Sequence, residues 1–355
     1  MASSLQKIRE QFDAIFNEAR ASQDVFAARH QQLEQMLHIL GERHSHLESL
    51  VAQAVSSPLK LQSLSPHFFR NYLPNDDAAV QKNLIATWRL QDCKTLGHAE
   101  LVESGFRVFS QNDEDGLLLR LFTHIGYTNR YVIEIGSNCN GSDIGIPENL
   151  SANLIINHAW HGAVFEMDAV ECEKMRYFFA RDHSTKHFHW ERDGKNTYFS
   201  PLIIQYAVSA SNINELLLEV NSETEPDLMI LDIDGGDYAV LEGLTAVRPR
   251  VIVVEFEKRF RERHSVVQFD RKNFSERWQQ SGSVSLPAWQ KLLEPRGYQL
   301  ITVGSCGFNA FFVRADVAQN KLIPVDPFDI FRSHPVFSRM KEYFWLSPDD
   351  TWTAV

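Results

Sequence analysis

The spacing of apolar residues divides the chain into a helical first segment and a later segment of alternating strands and helices. Every seventh residue from Leu5 to Ala54 is apolar, whereas the companion row from Ile8 to Leu50 is mixed. This pattern predicts a coiled coil or a long helical hairpin over residues 1–57. A helical pair folded onto its own domain and a stalk that makes a homo-oligomer both fit the pattern.

A proline-containing connection follows, and after it one further helix. Three prolines lie between residues 56 and 74, where apolar periodicity is absent, so we expect irregular structure there. A helix is expected from about Asp76, which can cap it, to Leu90. Residues 58–104 are therefore assigned to a linker and a helix.

From about residue 105, short apolar strands alternate with helical stretches. This alternation predicts a parallel α/β sheet, because each parallel crossover needs a covering helix. The predicted strands are Tyr131–Gly136, Ala163–Met167, Leu202–Val208, Leu228–Asp234 and Val251–Glu255. The predicted helices between them are Glu148–Trp160, Val170–Ala180, Ile213–Val220 and Tyr238–Ala246.

The last two predicted strands differ from the others. Tyr298–Val303 and Phe308–Arg314 are separated by four residues, and so short a loop joins antiparallel strands. The predicted fold is therefore an α/β, Rossmann-like sheet, mostly parallel, with a C-terminal antiparallel hairpin strand. Among nucleotide-binding folds, that ending favours class I S-adenosylmethionine (SAM) methyltransferases over NAD dehydrogenases. We expect the aromatic-rich residues 318–355 to cap a domain spanning 105–317.

Composition and charge argue against several classes of function. The 355 residues carry 35 Lys and Arg against 46 Asp and Glu, a net charge of −11 that disfavours binding to nucleic acid or an anionic membrane. Four scattered cysteines without paired spacing exclude a disulfide scaffold and a cysteine-based zinc site. The N-terminal residues show no apolar signal sequence and no apolar run can span a bilayer, so we expect a cytoplasmic protein.

Two strand ends carry features of a nucleoside site. The strand that ends in Glu134 and Gly136 leads into a turn of small residues, which lets a ligand approach the backbone at the carboxyl edge of the sheet. A tight turn without a ligand is the alternative interpretation. The next strand ends in Glu166 and Asp168, and a carboxylate at that position can accept both hydroxyls of a ribose.

Asp232, Asp234 and Asp237 follow one apolar strand within six residues. Carboxylates so close together repel one another unless a proton or a cation relieves them. We therefore expect a general base there, or ligands for a divalent cation such as Mg²⁺, which prefers oxygen donors. Capping of the next helix is the alternative for Asp237. Glu255 closes the next strand and either faces the same crevice or is solvated.

Two weaker motifs have simple structural interpretations. His183, His187 and His189 have a spacing that suits a metal, but no second motif completes a zinc site, so a solvated loop is expected. The acids between Ser110 and Asp115 precede an apolar helix and are interpreted first as its N-terminal cap.

The stretch from Phe109 to about Val317 resembles the FkbM-type SAM-dependent methyltransferases. The resemblance rests on an ordered set of segments: Ser-Gln-Asn-Asp-Glu-Asp-Gly (110–116), Ile-Glu-Ile-Gly (133–136), Asn-Ile-Asn-Glu-Leu-Leu (212–217), Leu-Asp-Ile-Asp-Gly-Gly-Asp-Tyr (231–238), Arg-Pro-Arg-Val-Ile-Val-Val-Glu (248–255) and Gly-Phe-Asn-Ala-Phe-Phe-Val-Arg (307–314). The turn from Gly136 to Gly141 is one residue longer than is usual in the family, and the helical N-terminus lies outside the resemblance.

The resemblance implies SAM as the cofactor and assigns residues to it. Glu134, Gly136 and Gly141 would line the methionine and sulfonium end, Glu166 would hold the ribose, and Gln111 and Asp115 would help to close the pocket. The predicted cofactor-binding set is completed by Ser137, Asn138, Asp168 and Ser209.

The expected reaction is transfer of a methyl group from SAM to a hydroxyl oxygen of a small-molecule or glycan acceptor, such as a sugar or a natural product. Since the sulfonium methyl is already electrophilic, the protein has to align the acceptor and remove its proton. Asp232 and Asp234 are the predicted base or metal ligands, with Asp237 and Glu255 as further catalytic candidates. N-methylation, other SAM chemistry and a non-catalytic scaffold built on the N-terminal helices are the alternatives.

Overall fold

The structure is a computed structural model that describes residues 76–91, 95–139, 148–181, 190–192, 195–197, 201–268, 284–339 and 352–355. The predicted helical segment 1–57, with its coiled-coil and self-association interpretations, lies outside the described residues. The histidines at positions 183, 187 and 189 lie outside them as well.

The described residues form short strands and helices in alternation. The strands are β1 Tyr131–Ile135, β2 His161–Glu166, β3 Trp190–Arg192, β4 Lys195–Thr197, β5 Leu202–Gln205, β6 Leu228–Leu231, β7 Val251–Glu255, β8 Val266–Val267, β9 Tyr298–Val303, β10 Asn309–Arg314 and β11 Thr353–Ala354. The helices are α1 Asp76–Leu90, α2 His98–Glu103, α3 Glu114–Ile125, α4 Ala152–His158, α5 Ala169–Arg181, α6 Ile213–Glu219, α7 Asp237–Gly243, α8 Leu286–Leu293, α9 Ala315–Ala318, α10 Pro327–Ser333 and α11 Pro335–Arg339.

Seven strands form one sheet in the order β5-β2-β1-β6-β7-β10-β9. The pairs from β5 to β7 are parallel, whereas β10 runs antiparallel to both β7 and β9. This topology confirms the predicted Rossmann-like α/β sheet with its antiparallel C-terminal hairpin. Because the four strands β2, β1, β6 and β7 run in the same direction, their carboxyl ends meet at one edge.

Both faces of the sheet are covered, which explains why the central strands are apolar at nearly every position. Ile133 and Ile135 of β1 belong to one buried cluster, which also contains Trp289 of α8. Val132, on the opposite face, belongs to a second cluster together with Ile155 of α4. The sheet is therefore the middle layer of three, with helices on either side.

The chain after β10 returns to the domain. Phe331 and Phe337 contact Phe256, which follows β7, with ring centroids 6.3 and 6.1 Å away. Near the C-terminus, β11 pairs antiparallel with β8, and Trp352 lies edge-on to Phe260 at 4.5 Å between ring centroids. These contacts cover the region beyond the end of β7. Among the described helices, none combines the length and apolar character that crossing a bilayer requires.

Candidate active site

A cavity of about 310 Å³ opens at the carboxyl ends of β1, β2, β5 and β6. This is the edge at which open parallel sheets bind their ligands. The predicted site residues that line the cavity are Gly136, Asn138, Glu166, Asp168, Asp232 and Asp234. The sequence therefore located the cavity, although not every residue assigned to it.

Gly136 forms the floor of the cavity and needs to be glycine. Its φ is +88°, a left-handed value that disfavours other residues, and a Cβ there would lie 1.5 Å from the carbonyl oxygen of Asp232. Its amide donates to Phe165 of β2 (2.9 Å), while the amide of Asp232 donates to Ile135 (3.0 Å). Backbone hydrogen bonds thus hold the turn after β1 against both neighbouring strands.

Glu166 and Asp168 close β2 and start α5. One carboxylate oxygen of Glu166 accepts a hydrogen bond from the amide of Asp168 (2.7 Å), and burial raises the pKa of Glu166 above its ordinary value. Asp168 in turn accepts from the amides of Val170 (2.7 Å) and Glu171 (3.1 Å), so it caps α5 as well as lining the cavity. Both carboxylates are fixed by backbone donors.

Glu134 is buried and is not among the residues that line the cavity. Its two carboxylate oxygens accept hydrogen bonds from the amides of Leu150 (2.9 Å) and Ser151 (3.1 Å), just before α4 begins. Burial raises the pKa of Glu134 to about 7, against the effect of these hydrogen bonds. Its observed contacts therefore anchor a helix terminus, and its predicted contact with SAM remains a prediction.

Other predicted cofactor residues also lie away from the cavity lining. Asp115 accepts from three successive amides, those of Val108, Phe109 and Ser110, at 2.6–2.9 Å, and burial raises its pKa to about 6. Gln111 is exposed. The remaining three are Ser137, which is buried and accepts from Asn149 at 2.7 Å, Ser209, whose hydroxyl contacts that of Ser211, and Gly141, which is outside the described residues.

Three carboxylates meet beside the cavity. The strands β6 and β7 pair in a register that sets Leu231 opposite Val254, so the next residues, Asp232 and Glu255, are neighbours. One carboxylate oxygen from each of Asp232, Asp234 and Glu255 lies within 4.8 Å of the other two. Burial, and then the charges of the neighbouring acids, raises the pKa of both Asp232 and Glu255 well above the ordinary value.

Asp237 holds the loop that carries this cluster. It is buried at the start of α7, where its oxygens accept from the amides of Ile233 and Gly235, both at 2.9 Å. Between those two amides lies Asp234, which has a left-handed φ of +54°. Asp237 therefore fixes the loop conformation that presents Asp234, whereas the N-cap of α7 is Gly236 and has no side-chain cap hydrogen bond. The predicted catalytic role of Asp237 stays a prediction.

Two residues that line the cavity were not predicted as site residues from the sequence. Met167 and Tyr206 line the cavity with about half of their surfaces exposed, 54% and 49%. Large exposed apolar side chains beside a cavity are typical of a ligand site. Strand β5 ends at Gln205, before the predicted end at Val208, so the aromatic residue that follows it, Tyr206, lies beyond the strand. That aromatic residue at a strand end is the feature of the sequence that could have indicated the cavity.

Comparison with known proteins identifies the family. Residues 125–300 match the family model described as the methyltransferase FkbM domain. The chain is similar to the magnesium protoporphyrin IX methyltransferase from Synechocystis PCC 6803, solved with bound SAM, at 13% identity and a TM-score of 0.36, over 68% of this chain and 99% of that one. It is also similar to the N-terminal domain of EvdMO1, solved with SAH, at 9% identity and a TM-score of 0.35, over 66% of this chain and 94% of that one.

No curated protein matches the chain in sequence. The family match extends from the end of α3 into β9, and it includes Gly136, Glu166 and the acidic cluster. Residues 125–300 are therefore an FkbM methyltransferase domain, and the protein is a SAM-dependent methyltransferase.

Proposed function

We propose that this methyltransferase transfers the methyl group of SAM to a hydroxyl oxygen of a sugar or natural-product acceptor. The observation that carries the proposal is the contact between the cavity and the three carboxylates, since Asp232 and Asp234 belong to both. A proton acceptor beside a cofactor cavity is what hydroxyl methylation requires.

The residues of the cavity suit SAM. The turn at Gly136 brings the backbone close to the ligand space, and the carboxylate of Glu166 lies where the hydroxyls of a ribose are usually accepted. The exposed apolar surfaces of Met167 and Tyr206 suit an adenine ring. When bound, SAM supplies an electrophilic methyl group on its sulfonium sulfur.

The acidic cluster divides its tasks by burial. Asp234 is the exposed member, whereas Asp232 and Glu255 are half-buried. Three carboxylates this close do not all ionise at neutral pH without a cation, so the half-buried pair retains a proton and Asp234 acts as the base. The acceptor oxygen bonds to the methyl carbon as the carbon–sulfur bond breaks, and the hydroxyl proton passes to Asp234.

The same three side chains would also suit a divalent cation such as Mg²⁺. Their oxygens lie within 4.8 Å of one another, and carboxylates are the ligands that Mg²⁺ prefers. In that form of the proposal, Asp232, Asp234 and Glu255 are the protein ligands, and the cation balances the charge that a proton balances otherwise.

The negative charge of the cluster also favours a second candidate, N-methylation of an amine. A protonated amine would be attracted to Asp232, Asp234 and Glu255, and one of these carboxylates would take its proton before transfer. Products separate the two candidates, because O-methyl and N-methyl compounds fragment differently in mass spectrometry.

Calorimetric titration with SAM and S-adenosylhomocysteine tests the cofactor site. We expect both to bind the wild-type chain, and Glu166→Gln to weaken binding about tenfold through loss of the charged acceptor. Glu215→Gln, an exposed change on α6, is the matched control and should bind normally. Wild-type affinity in Glu166→Gln would contradict the assignment of the ribose to Glu166.

A further inference from the structure

A second cavity, of about 190 Å³, lies at the opposite edge of the sheet from the SAM site. It is formed where α1 packs against α3 and α4, and Arg130, one of its lining residues, immediately precedes β1. The methyl-transfer chemistry uses the carboxyl ends of the strands, so this cavity has no part in it.

The charge of the cavity is opposite to that of the chain. Lys82, Arg89 and Arg130 line it, and none of the residues that the structure places in its lining is acidic. In a protein with a net charge of −11, three cations around one small space form a local positive field. Such a field selects an anion, and paired arginines suit the oxygens of a phosphate.

Helix α1 supplies two of the three cations, and its helical period brings them to one face. Lys82, Ile85 and Arg89 are three and seven residues apart, so they share one face of the helix. That face is held in place by Gln81, which exchanges two hydrogen bonds of 3.0 Å with Asn153 of α4. The positions of Lys82 and Arg89 are thus defined by a buried contact next to them.

The opposite wall is aromatic. The guanidinium carbon of Arg130 lies 4.2 Å from the ring centroid of Tyr127, whose ring is 6.5 Å from that of Trp160. Tyr127 is 41% exposed, so it presents apolar surface to the cavity mouth. A ligand with a planar ring and an anionic group could therefore pack its ring against these aromatic residues and place its anion near Arg130.

His158 completes the lining as a neutral group. Its Nε2 is 2.6 Å from Oε1 of Gln81, an acceptor, so Nε2 carries the proton and Nδ1 is an acceptor. Burial, and then the charges of Lys82 and Arg130, lowers the pKa of His158 to about 3. Both cations therefore lie close enough to the imidazole to act on it.

We infer that this cavity is a binding site for a small organic phosphate whose ring lies among the apolar residues and whose phosphate is held by Lys82, Arg89 and Arg130. The volume exceeds that of cavities that hold one benzene ring, about 150 Å³, which fits a monocyclic ligand. Because the cations come from α1 and from the edge of the sheet, the ligand would link α1 to the domain.

Titration of the full-length protein with phenyl phosphate at low salt tests the inference. Phenyl phosphate should bind, and should bind more tightly than inorganic phosphate or phenol, because it offers both the charge and the ring. Arg89→Gln and Lys82→Gln should each weaken its binding about tenfold, the loss of one charge-assisted hydrogen bond. Lys291→Gln, an exposed change on α8, is the matched control and should leave binding unchanged.

SAM affinity, measured in parallel, separates this inference from the proposed function. Both cavity variants carry exposed substitutions, and we expect them to keep wild-type affinity for SAM and wild-type thermal midpoints. Failure of phenyl phosphate to bind at millimolar concentration would overturn the inference. So would equal binding by the wild type, Arg89→Gln and Lys82→Gln.

Discussion

The two ends of β6 carry two aspartates in opposite situations, one buried and one half-buried. Asp227, before the strand, accepts hydrogen bonds from the amides of Thr128, Asn129 and Arg130 at 2.6–2.9 Å and forms an ion pair with Arg250. Asp232, after the strand, lies among other acids, and no donor to its carboxylate is found in the described part of the chain.

Four residues separate these carboxylates, and their surroundings assign them different tasks. Donors and a cation compensate the charge of Asp227, so its burial stabilises the fold. The charge of Asp232 has no compensating donor or cation in the described part of the chain, so its position among other acids costs stability, as is typical of functional sites. A carboxylate that is shielded from solvent therefore points to a functional site only when hydrogen-bond donors and cations around it are lacking.

The largest expected effect is the loss of stability when Asp227, before β6, is removed. Asp227→Ala leaves Arg250 buried without its partner and removes the acceptor of three amides. We expect the free energy of unfolding, measured in urea, to fall by about 3–5 kcal/mol. A loss below about 1 kcal/mol would show that Asp227 is not the anchor described here.

Neutralising Asp232, after β6, should have the opposite effect on stability to the loss of Asp227. Asp232→Asn removes repulsion within the cluster, so we expect stability equal to or above that of the wild type. Methyl transfer should fall about 100-fold because the change removes the carboxyl that shares a proton with Glu255 beside the proposed base, Asp234. Asp329→Asn, an exposed change on α10, is the control for rate. Near-normal activity in Asp232→Asn would remove Asp232 from the mechanism.

The pH dependence of stability should differ between the wild type and Asp232→Asn. The pKa of Asp232 is raised by folding, so the folded state holds this proton more tightly than the unfolded state, where the pKa is about 4. Wild-type stability is therefore lost as the pH rises above about 4, toward the raised folded value. Relative to the wild type, Asp232→Asn should gain stability between pH 4 and pH 8 in urea titrations. A constant difference would contradict the raised pKa.

The smallest effect concerns the cation. If Asp232, Asp234 and Glu255 bind Mg²⁺, a concentration about ten times the dissociation constant should raise wild-type stability by about 1.4 kcal/mol. Sodium chloride at equal ionic strength is the control, and Asp232→Asn should not respond. If both salts raise stability equally, the cluster does not bind Mg²⁺ specifically. A shared proton, and not a metal, then reduces the negative charge of the three carboxylates.

Much of the fold followed from the sequence because the central strands are apolar on both faces. β7 and β9 have the predicted bounds, and α1 begins and ends as expected. Helix α4 is an exception, since it begins at Ala152 instead of position 148. The amides of the two residues before it donate to Glu134, a tertiary contact that the local pattern does not contain.

The candidate site was less accessible to prediction. Alternation within β1 sets Glu134 on the opposite face from Ile133 and Ile135, but both faces are covered by helices, so the pattern does not tell which face adjoins the cavity. The second cavity escaped for a different reason. Its cations come from α1 and from the residue before β1, which are far apart in the sequence and carry no shared motif.

The close approach of Gly136 to the carbonyl of Asp232 limits how this enzyme can change. A side chain at position 136 would push β1 away from β6 and displace both the turn after β1 and the acids after β6. A substitution at position 136 therefore cannot change the turn after β1 without also moving the acids after β6. Diversification toward new acceptors would then have to come from segments above the sheet edge, leaving the floor of the cavity unchanged.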